Sequence, residues 1–146
     1  MIRTCAACGQ QNRIPARHLA DAGRCGACRA ALPPLAEPLD AGTQEFDDVL
    51  RDARVPVLVD FRADWCGPCR MAAPVVKQVA AEMAGRALVL EVDTDRHPDL
   101  AARYQVSGIP HFVVLHHGQV HSAQSGLVSA MQMKRWLEAA RTRSDG

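Results

Sequence analysis

The sequence predicts an α/β protein, in which a mixed central sheet with helices on both faces follows a small cysteine-rich module. An apolar run at residues 55–61 precedes a helical pattern at 67–84, and shorter strand and helix patterns alternate after it. Four of the six cysteines lie in the first 30 residues, in two closely spaced pairs. With 146 residues and 48% hydrophobic composition, the chain can hold one ordinary domain and one small module.

The N-terminal module, residues 1–30, contains Cys5-x2-Cys8 and, after sixteen further residues, Cys25-x2-Cys28. Two such pairs are typical of a zinc-ribbon-like site, in which four thiolates complete a tetrahedron around Zn²⁺. Four protein ligands leave no open position, so we expect one structural zinc ion per chain. About thirty residues cannot bury a core of their own, and the metal would supply most of the folding free energy.

Two alternatives for this module remain open. A pair of disulfides would suit a secreted protein, but the chain begins without an apolar signal-like run, so we expect a cytoplasmic protein. A basic patch for nucleic acid is the second alternative, since arginines outnumber acids here. The module has no aromatic residue for base stacking and the whole chain has a net charge of +1, which disfavours nucleic acid as a partner. No apolar stretch is long enough to span a membrane.

Residues 31–39 predict a linker, because three prolines in nine residues forbid a helix and stiffen the chain. The second domain would then comprise residues 40–146. It begins with a short helix that Thr43 would cap and that Phe46, Val49 and Leu50 would anchor to the core.

The run from Val55 to Phe61 predicts a central strand that is buried on both faces. Asp60 interrupts this run, and a carboxylate there is costly unless it has a function or lies exposed at the strand end. The helix at 67–84 carries an apolar stripe and ends at Gly85. The residues assigned to the stripe are Met71, Val75, Val76, Val79, Ala80 and Met83.

The remaining elements follow the same patterns. A strand is predicted at 87–92, a short helix at 98–104, and a hairpin of strands 112–115 and 119–123 around His117-Gly118. A final helix at 129–141 begins at Ser129 as its N-cap. The residues expected to face the core from this helix are Met133, Trp136, Leu137 and Ala140.

Cys66 and Cys69 lie where the central strand gives way to the long helix. A thiolate at a helix N-terminus meets unpaired N–H groups and the positive end of the helix dipole, which lower its pKa. Cys66 would be the exposed nucleophile, with Cys69 one turn inside, and Pro68 suits the first helical turn. The C-x-x-C spacing alone also fits a metal site or two buried cysteines.

The motif Trp65-Cys66-Gly67-Pro68-Cys69 resembles the active site of thioredoxins, and the resemblance extends from about Asp40 to the end. It includes the further matches Val59-Asp60-Phe61, Ala73-Pro74, Ile109-Pro110, Gly118 and Gly126. With the four-cysteine extension, the chain is similar to the zinc-containing thioredoxin 2 type. The resemblance implies a thioredoxin fold and protein-disulfide reductase activity, in which Cys66 attacks a substrate disulfide and Cys69 resolves the mixed disulfide.

The resemblance also implies partners and further site residues. Asp60 would lie buried beneath Cys69 and act as its base, and the Ile109-Pro110 peptide bond would be cis. Trp65, Gly67, Pro68, Ile109, Pro110 and Gly126 would contact disulfide-containing protein substrates. A thioredoxin reductase would recharge the dithiol with NADPH, so the monomeric chain would bind no organic cofactor itself. The alternative function is a redox-regulated binding or chaperone-like module of low turnover, whose zinc ribbon selects partners.

Three residues depart from the family pattern: Arg62 replaces an aromatic residue, Glu91 a common lysine, and His111 a threonine. An anion at Glu91 should raise the pKa of Asp60, and Arg62 should favour the Cys66 thiolate. We expect Arg62 to form an ion pair with Asp95, because both follow neighbouring strands at the same edge. The scattered histidines at 97, 116, 117 and 121 do not predict a second metal site.

Overall fold

The computed structural model describes residues 1–144, and the last two residues of the predicted second domain, Asp145 and Gly146, lie outside the described residues. The strands are β1 (Ile2–Thr4), β2 (Gln11–Arg13), β3 (Gly23–Arg24), β4 (Ala31–Leu32), β5 (Leu39–Asp40), β6 (Val57–Arg62), β7 (Leu88–Asp93), β8 (His111–His116) and β9 (Gln119–Ser125). The helices are a 3₁₀ turn (Ala16–His18), α1 (Thr43–Asp52), α2 (Gly67–Glu82), α3 (Pro98–Arg103) and α4 (Ala130–Ser144).

A five-stranded mixed sheet forms the centre of the molecule, with strand order β5-β7-β6-β8-β9. β5, β7 and β6 run parallel, whereas β8 and β9 are antiparallel to their neighbours. Alternate residues of β6 face opposite sides, as the period of a strand requires. Leu58 packs with Val76 of α2 and Leu137 of α4, while Val59 packs with residues of α1 and α3 on the other face. The predicted α/β architecture is therefore confirmed.

The first 32 residues form two small antiparallel hairpins, β1-β2 and β3-β4. Each hairpin turn carries one pair of cysteines, and the N–H of Cys5 and of Cys25 closes its turn by donating to the carbonyl of Gln10 and of Ala30. The interior of this module consists of little more than Cys5, Cys25 and Leu32. Such a small interior needs a further source of stability.

That source includes packing against the sheet domain. Ala16, Leu19 and Leu35 are buried in the same core as Phe46 and Val49 of α1. The proline-rich stretch forms no helix, as expected, but it is more than a spacer. The N–H of Leu35 donates to the carbonyl of Leu19 (2.9 Å), and the first and last residues of the stretch belong to β4 and β5. The N-terminal module and the sheet domain therefore share one apolar core.

Two predicted helix features are wrong in detail. Thr43 is the first residue of α1 rather than its cap, and its hydroxyl donates to Asp99 Oδ2 (2.8 Å). Met71 is 67% exposed, not part of the buried stripe. Residues four apart advance about 40° around a helix on each step, so the predicted series Met71, Val75, Val79, Met83 drifts across the surface. The other predicted stripe residues Val76, Val79, Ala80 and Met83 are buried and Val75 is half-buried, and Ala72 joins the buried face in place of Met71.

The last helix agrees with the prediction, because Ser129 Oγ accepts the N–H of Gln132 (3.1 Å), and Met133, Leu137 and Ala140 are buried. Among the described residues 1–144, no helix has the length and apolar character needed to cross a bilayer.

Candidate active site and metal centre

The dithiol lies at the N-terminus of α2. Cys66 is the N-cap residue, and its Sγ accepts the N–H of Cys69 at 3.1 Å. The two cysteines are joined by a disulfide, with their Cα atoms 5.2 Å apart. Sequence reasoning predicts an exposed Cys66, yet in this oxidised state the two residues are only 3% and 2% exposed. Cys66 nevertheless lines the adjacent surface cavity, whereas Cys69 is not part of its wall.

A cavity of about 470 Å³ opens beside Cys66. Four of the predicted substrate-binding residues line it: Trp65, Gly67, Pro68 and Ile109. Thr94, Ala101, Val106, Ser107 and Gly108 complete the wall. The sequence predicts no site role for Thr94, Ala101 or Val106, although Thr94 follows β7 at the carboxyl edge of the parallel strands, where ligands commonly bind.

Pro110 and Gly126 lie next to this cavity rather than in its wall. The Ile109-Pro110 peptide bond is cis, as expected, and the Pro110 carbonyl accepts the N–H of Gly126 at 2.8 Å. Gly126 has φ +92°, and a Cβ there would meet no atom within 4 Å, so backbone conformation rather than space favours glycine. Cys66 Sγ lies 3.8 Å from the Ile109 carbonyl oxygen, which places the loop directly beside the disulfide.

Asp60 is buried in β6, with 1% of its surface exposed, so it is not an exposed strand-end residue. Its Oδ1 has no hydrogen-bond partner among the described residues. Burial first, and then the charge of Glu91, raise the pKa of Asp60 to about 7, against a lowering effect of Arg62. Leu58, two residues earlier on the same face of β6, packs with Ala72 of α2, so Asp60 lies under the first turn, which carries Cys69.

The predicted ion pair between Arg62 and Asp95 is absent. Arg62 Nη2 pairs instead with Asp64 Oδ1 at 3.2 Å, and Asp95 Oδ2 accepts the indole N–H of Trp65 at 2.9 Å. Arg62 pairs with Asp64 because the two residues are only two positions apart in the chain. The carboxylate of Asp95 is already engaged by the indole N–H of Trp65. Trp65 is 67% exposed, and this hydrogen bond holds its ring at the cavity entrance.

Four cysteine side chains converge in the N-terminal module. The Sγ atoms of Cys5, Cys8, Cys25 and Cys28 lie within 4.8 Å of one another. Cys5–Cys28 and Cys8–Cys25 are separated by 3.6 and 3.7 Å. A tetrahedron with Zn–S bonds of about 2.3 Å has edges of about 3.8 Å, so the arrangement fits a tetrahedral thiolate-bound metal. Both Sγ–Sγ distances are much longer than a disulfide bond of about 2.05 Å. The alternative of two disulfides in the module therefore does not fit this structure.

Groups around Cys25 support its thiolate form. The N–H of Cys28, the amide of Asn12 and the N–H of Ala27 lower the pKa of the Cys25 thiol to about 6. Asn12 also joins the two hairpins, because its Oδ1 accepts the N–H of Gly26 at 2.9 Å while its Nδ2 donates to Cys25 Sγ at 3.5 Å. Outer contacts of this kind fix the orientation of metal ligands. A divalent cation would offset the repulsion between four thiolates.

Comparison with known proteins agrees with this geometry. Residues 37–139 match the Thioredoxin family, and residues 4–30 match the family described as Thioredoxin 2, N-terminal. Thioredoxin C-3 of Corynebacterium nephridii is 37% identical over 138 residues, which cover 94% of each chain. Thioredoxin 1 of Chlorobaculum tepidum is 47% identical over 92 residues, covering 63% of this chain and 91% of its own length.

Two solved structures are also similar. A mutant thioredoxin from Halobacterium salinarum has a TM-score of 0.66 and 38% identity, covering 73% of this chain and 92% of its own. A chloroplastic thioredoxin z has the same TM-score with 28% identity and covers 73% of this chain and 96% of its own. The disulfide at the start of α2, the four-cysteine cluster and these likenesses agree, and the chain belongs to the thioredoxin family as a thiol–disulfide oxidoreductase of the zinc-ribbon-containing thioredoxin 2 type.

Proposed function

We propose that the protein is a protein-disulfide reductase whose Cys66/Cys69 dithiol transfers two electrons to substrate disulfides. The observation that carries this proposal is the position of Cys66, which is the N-cap of α2 and also part of the cavity wall. The Cys66 thiolate attacks one sulfur of a substrate disulfide, and the other substrate sulfur leaves as a thiolate. Cys69 then attacks Cys66, which closes the intramolecular disulfide and releases the second substrate thiol.

Asp60 is the proposed base for the second step. Cys69 must lose its proton to attack, and a carboxylate with a pKa of about 7 is matched to proton transfer at neutral pH. The exposed Trp65 ring, Gly67, Pro68 and the loop Ile109-Pro110, with Gly126 behind it, form the proposed surface for an extended substrate segment.

A thioredoxin reductase that uses NADPH is the proposed source of electrons, so this chain requires no bound organic cofactor. We propose the cytoplasm as its compartment, since the four module cysteines form no disulfide and unpaired cysteines of this kind suit a reducing environment. Zn²⁺ is the proposed metal because a closed set of four thiolates is typical of structural zinc. We further propose that the chain acts as a monomer, with no nucleic-acid or membrane partner.

Equilibrium with a thiol redox buffer tests the direction of electron flow. We expect a potential near the value of about −270 mV known for thioredoxin, so that a glutathione buffer poised at about −220 mV leaves the Cys66–Cys69 pair largely oxidised. A potential near −180 mV or above, as in disulfide isomerases, would contradict the assignment as a reductase.

Metal analysis tests the proposed zinc site. Protein purified under reducing conditions should contain one equivalent of zinc per chain, and Cys25→Ser should lose it, because Cys25 is a buried member of the cluster. Asn12→Ala should keep the four ligands but weaken zinc retention by about 10–100-fold. Asn12→Ala protein that resists a chelator as well as the parent would contradict the role of Asn12.

Substitution of Asp60 tests the buried carboxyl. Its pKa of about 7 in the folded state lies above the unfolded value of about 3.9, so ionisation destabilises the fold increasingly as pH rises between these values. Asp60→Asn should therefore raise the free energy of unfolding by roughly 1–3 kcal/mol at pH 8, after the cost of burying an amide, and by less at pH 5. Urea unfolding of the parent and Asp60→Asn at both pH values measures this gain in the free energy of unfolding. An equal gain at pH 5 and pH 8 would contradict a raised pKa of Asp60.

A further inference from the structure

Three carboxylates lie at one level of the central sheet. Glu91 of β7 is in register with Asp60 of β6 on one side and with Asp40 of β5 on the other. The three strands are parallel, so residues in register point to the same face, and adjacent strands are about 4.8 Å apart. Asp40 is exposed, Glu91 is partly buried and Asp60 is buried, so the carboxylate row Asp40-Glu91-Asp60 leads from solvent into the site.

The interior end of the row lacks its own partner. Asp60 Oδ1 is buried and has no hydrogen bond among the residues described. On its other side, the register partner of Asp60 in β8 is Phe112, which is apolar and fully buried. Glu91 is thus the neighbouring group in the sheet that can exchange a proton with Asp60.

Two cations from neighbouring elements act on the carboxylate row. Arg62 of β6 lowers the pKa of both Asp60 and Glu91, and Lys77 of α2 lowers that of Glu91. Burial raises the pKa of Glu91, and the charge of Asp40 adds to this effect. Arg62 is already paired with Asp64 at 3.2 Å, and Lys77 is exposed. Among the residues described, neither cation forms an ion pair with Asp60 or Glu91, and the two carboxyls are neighbours on one face of the sheet at the inner end of the row.

We propose that Glu91 is a positioning residue for the resolving step: it shares one proton with Asp60 and passes the proton from Cys69 towards solvent. This inference rests on the proposed reductase function and deepens it. When Cys69 attacks, its S–H bond breaks as the Cys66–Cys69 bond forms, and the proton goes to Asp60. The Cys66–substrate bond breaks, and its electron pair stays on the substrate sulfur, which takes a proton from water.

Glu91 then accepts the proton from Asp60, and exposed Asp40 or water removes it. The cycle returns Asp60 to the carboxylate form without opening the core. Because two facing carboxyls hold one proton between them, they should titrate as a pair in two steps rather than as independent groups.

NMR titration of the Asp60 carboxyl carbon, in the reduced, zinc-loaded full chain, tests the pairing. In Glu91→Gln the Asp60 midpoint should fall by on the order of one pH unit, and Glu91→Lys should lower it further. Asp40→Asn should lower it less, because Glu91 separates the two groups. Glu45→Gln is the control, an exposed acid of α1 on the opposite side of the sheet, and should leave the midpoint unchanged.

The rate of the resolving step is measured in parallel as single-turnover release of the substrate thiol from the mixed disulfide. Its pH midpoint should move with the NMR midpoint in both Glu91 variants, which a purely structural residue would not cause. An Asp60 midpoint that stays fixed in Glu91→Gln and Glu91→Lys, or a resolving rate whose pH profile stays fixed while the midpoint moves, would overturn the proposal. Failure of the proposed function is distinct, because the wild-type chain would then release no substrate thiol at all.

Discussion

Serine replacement of the two active-site cysteines should have opposite effects on the mixed disulfide. Cys69→Ser leaves the attacking thiolate at the N-cap of α2 but removes the group behind it that releases the product. The adduct with a substrate disulfide should therefore accumulate on Cys66, as a mass increase that a thiol reductant reverses. Cys66→Ser removes the nucleophile that lines the cavity, so no adduct should form at this site.

The double variant Cys66→Ser/Cys69→Ser is the matched control, because it retains the four module thiols and should also form no adduct. Adducts in Cys66→Ser together with none in Cys69→Ser would reverse the roles assigned here.

Leu19→Ala should destabilise the whole chain, although Leu19 lies in the N-terminal module. Its side chain is 1% exposed and packs in the core that contains Phe46 and Val49 of the sheet domain. Large-to-small changes at such sites cost about 2–5 kcal/mol. Urea unfolding followed by tryptophan fluorescence measures this in the sheet domain, because both tryptophans, Trp65 and Trp136, lie outside the module.

Ile2→Ala provides the control within the same module, because Ile2 is 52% exposed and its loss should change stability by no more than about 0.5 kcal/mol. A chain that lacks residues 1–36 should still reduce disulfides, since it retains the dithiol, but it should unfold at a lower urea concentration. An unchanged unfolding midpoint in Leu19→Ala would contradict the shared core.

The sequence predicts features whose cause is local. The apolar run before Arg62 identifies the central strand, and the residue types around Cys66 and Cys69 identify the dithiol, because strand burial and helix-terminus chemistry depend on neighbours along the chain. The four module cysteines are equally clear from spacing alone.

Other features depend on contacts between distant segments. Leu19 and Leu35 are isolated apolar residues without periodicity, so no pattern predicts that they pack against α1. β5 has only two residues beside a proline and gains its place in the sheet by pairing with β7. The hydrogen bond between Trp65 and Asp95 could not be predicted either. Strand order predicts the edge of the sheet at which Asp95 lies, but not the direction in which its side chain points.

Turnover with NADPH and a thioredoxin reductase tests whether the chain is a protein-disulfide reductase. The wild-type chain, in catalytic amount, should couple NADPH oxidation to the reduction of a protein disulfide such as that of insulin, and either single-serine variant should abolish this coupling. Binding of the disulfide protein without NADPH oxidation would contradict the account and favour the redox-regulated binding module instead.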